Sequence, residues 1–193
     1  MAQKTKRYVL KIVLGGDGAV GKTSLRRHYL GEVFETNYKE TIGADFALKY
    51  SNIVINEGEE PKVIKLQIWD IAGQKRYDQV GSILFDRADG GIFMFDISNR
   101  ESMANLHDWL ATYYLYAGVG VVILVGNKED LRENPANESL VTKEEAEAFA
   151  KKLSEEFKRP IPYLETSAKT GNNVVESFEL LVRKWFKLTQ SND

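Results

Sequence analysis

The chain has 193 residues, of which 43% are hydrophobic and 28% charged, and its net charge is −2. That length suits one well-buried domain, and the slightly negative charge argues against nucleic acid or an anionic membrane as the main partner. The sequence has no cysteine, which excludes disulfides, zinc–thiolate sites and thiol catalysis. No apolar stretch approaches the roughly 20 residues of a membrane span. We therefore expect a cytoplasmic protein.

The first predicted strand is the apolar run Tyr8–Leu14, which Lys11 interrupts, so that it does not resemble a secretory signal. It leads into the phosphate-binding loop pattern G-x-x-x-x-G-K-[ST] at Gly16–Thr23, and a helix is predicted from Thr23. Glycines let backbone N–H groups point at phosphate oxygens, and the helix start adds its positive dipole end. The alternative is a glycine-rich turn with a solvated lysine. The candidate phosphate-binding residues are Asp17, Gly18, Ala19, Val20, Gly21, Lys22, Thr23 and Ser24.

The next region departs from simple alternation of strands and helices. Residues 44–56 and 61–70 are predicted to be two strands joined by a short turn. A turn of that length suits an antiparallel hairpin and is too short for a helical crossover. We therefore place this hairpin at an edge of the sheet.

Beyond the hairpin, apolar runs alternate with segments of helical spacing. The predicted strands are Gly91–Ile97, Val119–Gly126 and Ile161–Thr166, and the predicted helices are Glu101–Tyr116, Thr142–Phe157 and Asn172–Leu188. This alternation predicts an α/β fold: a six-stranded, mostly parallel sheet with one antiparallel edge strand and helices on both faces. One domain is expected over residues 6–188, followed by a short tail over 189–193.

Polar motifs follow several predicted strands. Asp70–Gln74 comes after the third strand, Asn127–Asp130 after the fifth and Thr166–Lys169 after the sixth. Ligands of open α/β sheets bind beyond the carboxyl ends of the strands. These segments and the phosphate loop are therefore expected to form one site.

Together these motifs resemble those of the Ras-like small GTPases, and three further segments are similar to the Rab branch. The segments are Ile42–Phe46, Lys65–Trp69 and Phe95–Ser98. The resemblance covers nearly the whole chain. It implies a P-loop small G domain that binds GTP and GDP with Mg²⁺, hydrolyses GTP slowly and acts as a switch, for example in vesicle trafficking or signalling.

For the base, the resemblance implies that Asp130 accepts hydrogen bonds from guanine N1–H and the 2-amino group. Asn127 would hold the N7 edge and brace the phosphate loop, and the Ala168 N–H would meet the base carbonyl. The remaining base-side residues are expected to be Phe34, Lys128, Ser167 and Lys169. Asn127 as a simple turn former and Phe34 as a core residue are the plain alternatives.

For the phosphates, the resemblance implies Mg²⁺ ligation by Thr23 and Thr41, with Asp70 acting on the metal through water. Lys22 would reach the β- and γ-phosphates, and the Gly73 N–H would bind the γ-phosphate. Gln74 would orient the attacking water. The catalytic residues implied are thus Lys22, Thr41, Gly73 and Gln74. Residues 34–46 and 70–85 would be the switches that contact effectors, exchange factors and activating proteins.

The sequence also departs from the family pattern. Lys75 stands where most relatives carry an acidic residue, which puts the usual exchange route in doubt, and Leu84 falls at the third position of the aromatic triad of Rab proteins. Asp86 and Arg87 likewise break an expected motif, so effector specificity cannot be transferred. The 189–193 tail lacks the lipidated cysteines of Rab proteins, through truncation or because this is an unlipidated relative. We expect a monomer without its own membrane anchor.

Two other functions compete with a GTPase switch. A metabolic P-loop enzyme such as a nucleotide kinase would need a second substrate site and an arginine-rich lid, and the sequence contains neither signal. A GTP-binding scaffold that does not hydrolyse is disfavoured by Gln74 and Thr41. The switch is therefore the preferred hypothesis.

Overall fold

The computed structural model describes residues 8–32, 41, 43–73, 81–134 and 139–190. In these residues, six strands form one sheet in the order β2-β3-β1-β4-β5-β6. Their bounds are β1 Tyr8–Gly15, β2 Ala44–Ile53, β3 Lys62–Ile71, β4 Gly90–Asp96, β5 Val121–Asn127 and β6 Tyr163–Thr166. Neighbours pair in parallel except at the edge, where β2 runs antiparallel to β3. The predicted sheet and its antiparallel edge hairpin are confirmed.

The helices of the described residues are α1 Lys22–Leu30, α2 Gly81–Phe85, α3 Arg100–Ala104, α4 Leu106–Ala117, α5 Lys143–Glu156 and α6 Val174–Gln190, with a 3₁₀ turn at Glu129–Glu133. They cover both faces of the sheet, as predicted. One apolar cluster lies under α1 and α6, and a second lies on the opposite face under α2 to α5. None of the helices in this part of the chain is long and apolar enough to cross a bilayer.

The observed helices differ from the predicted ones by more than a single end residue at three places. The segment 101–116 is divided between α3 and α4 at Asn105, whose carbonyl accepts the N–H groups of both Asp108 and Trp109. The last helix begins at Val174 and not at residue 172, because Asn173 has a left-handed backbone with φ of 55°. It continues to Gln190, so two residues of the predicted tail are helical.

The apolar residues that recur with helical spacing along α6 lie in the core, with one exception. Val174, Phe178, Leu181 and Val182 are fully buried, and Phe178 stacks on Tyr29 of α1. Trp185 is only partly buried, and its indole N–H donates to Asp89. The adjacent Phe186 occupies the inner position instead. A helix periodicity of 3.6 leaves either of two adjacent residues able to face inward, and packing selects one.

Candidate functional site

The phosphate loop connects central strand β1 to α1. Gly21, directly before α1, has φ of 101°, a backbone conformation that favours glycine. A Cβ at this residue would also overlap the amide nitrogen of Asn127. The loop can therefore reach the start of α1 only with glycine at this position, and the motif requires glycine there.

Lys22 is held at the floor of the loop. It is 5% exposed, and its Nζ donates to the carbonyl oxygens of Gly16 (2.7 Å) and Asp17 (2.6 Å). The pKa of Lys22 is lowered to about 8. Burial is the main cause, and the nearby Asp70 and Asp17 carboxylates offset part of it. An ammonium has three N–H donors, so one remains for a phosphate oxygen. The carbonyls thus orient the charge toward the loop.

The Asp17 side chain does not face the loop's interior. Its carboxylate accepts from Asn105 Nδ2 at 2.6 Å and from Trp109 Nε1 at 3.1 Å. These bonds attach the phosphate loop to the junction of α3 and α4. Neither partner was predicted from the sequence, because no local pattern relates residues about ninety positions apart.

Side-chain oxygens of α1, of β3 and of Thr41 meet beside Lys22. Thr23 of α1 donates to Asp70 Oδ2 of β3 at 2.6 Å, and its oxygen lies 2.9 Å from that of Thr41. Asp70 is fully buried, and its Oδ1 accepts no hydrogen bond from the residues described. Burial raises the pKa of Asp70, while the Thr23 hydrogen bond and the Lys22 and Arg26 charges lower it. The three predicted metal-site residues are thus brought together.

Gly73 lies directly against the phosphate loop. A Cβ on it would overlap Gly18 N and the Asp17 carbonyl group. The chain leaving β3 can therefore approach the loop only with glycine here. Gln74, predicted in this region, and Phe34, predicted on the base side, lie outside the described residues.

Asn127 at the end of β5 joins three loops. Its Nδ2 donates to Val20 O at 2.8 Å, and its Oδ1 accepts from Thr166 Oγ1 at 3.1 Å and Ala168 N at 3.0 Å. It is 1% exposed. Each of these bonds crosses between segments distant in sequence, so one amide aligns the base-side loops with the phosphate loop.

Asp130 is held by the segment that follows β6. Its Oδ1 accepts from Ser167 Oγ at 2.6 Å, and Lys169 Nζ lies 3.6 Å from its Oδ2. Ser167 thus positions Asp130, a role the motif alone did not indicate. Lys128 forms an ion pair with Asp96 at 2.6 Å. Asp96 lies in the Rab-like segment Phe95–Ser98, and its closeness to Lys128 depends on the pairing of β4 with β5.

The comparisons with known proteins agree with this geometry. A model of the Ras family matches residues 11–187. Ras-related protein RABG3f of Arabidopsis thaliana is 35% identical over 187 residues, which cover 94% of this chain and 84% of that protein. Ypt/Rab-type GTPase ypt7 of Schizosaccharomyces pombe is 35% identical over 193 residues, covering 97% and 87%. Ras-related protein Rab-7a of Dictyostelium discoideum is 34% identical with the same coverage. The chain therefore belongs to the Rab branch of the Ras family and is a small GTPase that binds guanine nucleotide and hydrolyses GTP.

Proposed function

We propose that the protein is a Mg²⁺-dependent GTP switch in vesicle trafficking, with the nucleotide held by the residues predicted above. The proposal rests on the hydrogen bonds of Asn127 to Val20, Thr166 and Ala168. These bonds join the phosphate loop to both base-side loops. The Ras-family match over 11–187 supports one G domain over about 6–188. The names of the ypt7 and Rab-7a relatives support assignment to the Rab type.

Guanine would be selected by the Asp130 carboxylate. It accepts two N–H bonds from the base, whereas adenine offers neither the N1–H nor the 2-amino group. A site built around such bonds rejects an analogue that lacks them, because its buried polar groups are then unpaired. The Ser167 hydroxyl, 2.6 Å away, holds the carboxylate in place. The Ala168 N–H, which donates to Asn127 here, would be shared with the base carbonyl.

The residues at the phosphate side fit Mg²⁺. This ion prefers hard oxygen ligands and usually keeps several waters. Thr23 and Thr41 supply hydroxyl oxygens, and the buried Asp70 Oδ1, which accepts no hydrogen bond within the described ranges, can accept one from a metal-bound water. Bound Mg²⁺ would neutralise charge on the β- and γ-phosphates.

Hydrolysis would depend on positioning and charge stabilisation, with little covalent work for the protein. Lys22 directs its remaining N–H at the phosphates, and the Gly73 N–H binds the γ-phosphate. Gln74 orients the attacking water. The close approach of Gly73 to Gly18 and Asp17 supports this arrangement.

Residues 34–46 and 70–85 would change with the γ-phosphate and recruit partners in the GTP state. Phe46 is 44% exposed and lies 4.9 Å from the ring of Trp69, which supports a partner-binding surface there. Leu84 is buried at 6% exposure, so it is not displayed beside this pair. The partner surface would then differ from the aromatic triad of Rab proteins.

The proposal can be tested by competition titration and single-turnover hydrolysis. We expect GTP and GDP to displace a fluorescent GDP analogue at far lower concentration than ATP. Phosphate release from GTP-loaded protein should be slow and should require Mg²⁺. Equal affinity for ATP and GTP would contradict the base-site assignment, and hydrolysis unaffected by chelation would contradict the metal assignment.

A further inference from the structure

Arg26 is a buried cation next to the proposed metal site. It lies on α1, three residues after Thr23, and is 7% exposed. Its Nη2 is 2.6 Å from Asp45 Oδ2, and its Nε is 3.8 Å from Asp70 Oδ2. The same guanidinium therefore faces the carboxylate at the start of β2 and the carboxylate of the metal site.

The two contacts differ in kind. The Asp45 contact has the length of a charge-assisted hydrogen bond, whereas 3.8 Å is too long for one and is an ion pair. Within the part of the chain that the structure describes, the buried Arg26 Nε has no hydrogen-bond partner. The charge on Arg26 thus acts on Asp70 without a hydrogen bond fixing the pair. Because Asp70 is fully buried and Asp45 half-exposed, the interaction with Asp70 is the less screened of the two.

A permanent positive charge at this place has two consequences for a metal site. It repels a divalent cation approaching Asp70, which weakens cation binding. It also compensates Asp70 when the cation leaves, because a buried carboxylate without a nearby cation is costly. Among the described residues Lys22 is the other cation that acts on Asp70, but its Nζ is bonded to the carbonyls of the phosphate loop.

We propose that Arg26 is a positioning residue that tunes Mg²⁺ dependence: its guanidinium shares Asp70 with the metal and balances that carboxylate after the metal has left. The inference rests on the Mg²⁺ site proposed above. It follows that the protein binds Mg²⁺ more weakly, and loses nucleotide less rapidly on chelation, than it would with a neutral residue at position 26. Asp45 weakens the effect, because its carboxylate pairs with the guanidinium and partly neutralises the positive charge that acts on Asp70.

The test is the release rate of a fluorescent GDP analogue from the full chain as a function of free Mg²⁺. Arg26→Met, which keeps an unbranched apolar stem, should lower the Mg²⁺ concentration that half-maximally slows release by roughly tenfold. Its release rate in excess chelator, relative to that in saturating Mg²⁺, should rise. Arg26→Lys keeps the charge and should stay near wild type.

Two further variants sharpen the test. Asp45→Asn removes the competing carboxylate and should shift the half-maximal Mg²⁺ concentration upward, opposite to Arg26→Met. Arg27→Met is the matched control, because the neighbouring Arg27 pairs with Glu32. It should leave the Mg²⁺ dependence unchanged.

The outcomes separate this inference from the proposed function. If Mg²⁺ does not slow release from the wild type, the metal site itself is wrong. If Mg²⁺ slows release but Arg26→Met leaves the half-maximal concentration unchanged, the role of Arg26 is overturned alone. Equal acceleration of release by Arg26→Met with and without Mg²⁺ would show a purely structural role and would also overturn it. Thermal unfolding of each variant identifies any that fails to fold, and Asp45→Asn then still tests the sign of the effect.

Discussion

The base side and the phosphate side of the site are built from different interactions. On the base side, the buried amide of Asn127 makes neutral hydrogen bonds to two other segments, the phosphate loop and residues 166–168, and the Ser167 hydroxyl holds Asp130. On the phosphate side, Lys22, Asp70 and Arg26 bring formal charges together with little exposure to solvent. Charges with little exposure to solvent respond strongly to an added ion, whereas the neutral hydrogen bonds of Asn127 do not. We infer that the base side sets which nucleotide binds, and the phosphate side sets when it is held.

The largest effect is expected from a substitution on the base side of the site. Asp130→Asn replaces an acceptor with a donor opposite the guanine N–H groups. Affinity for GTP should fall by as much as roughly 10⁴-fold. The affinity for xanthine nucleotides should rise relative to the affinity for guanine nucleotides. Competition titration against a fluorescent GDP analogue measures both.

Asp108→Asn is the matched control for this change, because that carboxylate is exposed on α4. It should retain wild-type affinity. An Asp130→Asn protein that still prefers GTP over xanthosine triphosphate would show that another group reads the base.

The second largest effect is expected on the rate of GTP hydrolysis, which depends on the phosphate side. Gln74→Leu should leave nucleotide affinity unchanged, because the side chain orients water and need not contact the bound substrate. Intrinsic turnover is expected on the order of 10⁻⁴ to 10⁻³ per second, the scale the family member Ras shows without its activating protein. Misplacing the water should reduce it further, by up to about 10²-fold. Single-turnover phosphate release measures the change.

Gln67→Leu offers a control within β3, the strand that precedes Gln74 in the chain, and lies away from the carboxyl end of that strand. Equal hydrolysis by wild type and Gln74→Leu at saturating Mg²⁺ would mean that a different residue positions the water. Loss of hydrolysis in Gln67→Leu as well would point to damage to β3.

A third pair of variants asks how far the phosphate loop depends on α4. Trp109→Phe removes the indole N–H that donates to Asp17, and should cost about 1 kcal/mol of unfolding free energy. It should also speed nucleotide release, since the loop loses one of its two attachments to the α3–α4 junction. Denaturant unfolding and release of the fluorescent GDP analogue report the two effects separately.

Trp185→Phe is the matched control, because this indole donates to Asp89 at 3.2 Å. Its stability loss should be similar, with no change in release rate. Faster release in both variants would indicate that general destabilisation, and not the Asp17 attachment, controls the loop.

The smallest expected effect lies outside both sides of the site. His107 Nε2 is 2.6 Å from Glu156 Oε1, and hydrogen bonds to Glu156 and Asp108 raise the pKa of His107. A raised pKa in the folded state means that the pair stabilises fully below the ordinary histidine pKa, and that this stabilisation is lost as pH rises through the raised value. His107→Ala should therefore be destabilised more at pH 5.5 than at pH 8, by about 0.5 kcal/mol, since the pair is well solvated.

Urea unfolding at the two pH values measures this difference, and guanine-nucleotide affinity should not change with it. An equal loss at both pH values would show that packing against Phe157 accounts for the effect of His107. A change in nucleotide affinity would mean that the α4–α5 surface communicates with the site.

Most features of the fold and the site that could be predicted follow from local sequence patterns. The phosphate loop, the central strands and the polar segments at strand ends depend on spacing and residue type within short windows. The edge hairpin was predictable because its short turn allows only an antiparallel return. The capping box of Thr142 and Glu145, which starts α5 at Lys143, is also a local signal, and the predicted helix differs from the observed one by a single residue at each end.

Residue types and their spacing were thus enough to predict the fold class, the family and the residues expected around the nucleotide, because backbone geometry and local hydrogen bonding govern those patterns. Three features could be found only in the folded protein: the attachment of Asp17 to Asn105 and Trp109, the burial of Leu84 and the position of Arg26 between Asp45 and Asp70. These contacts join residues from different strands and helices. Their partners are selected by sheet order and by how the helices pack, which no short window of the chain encodes.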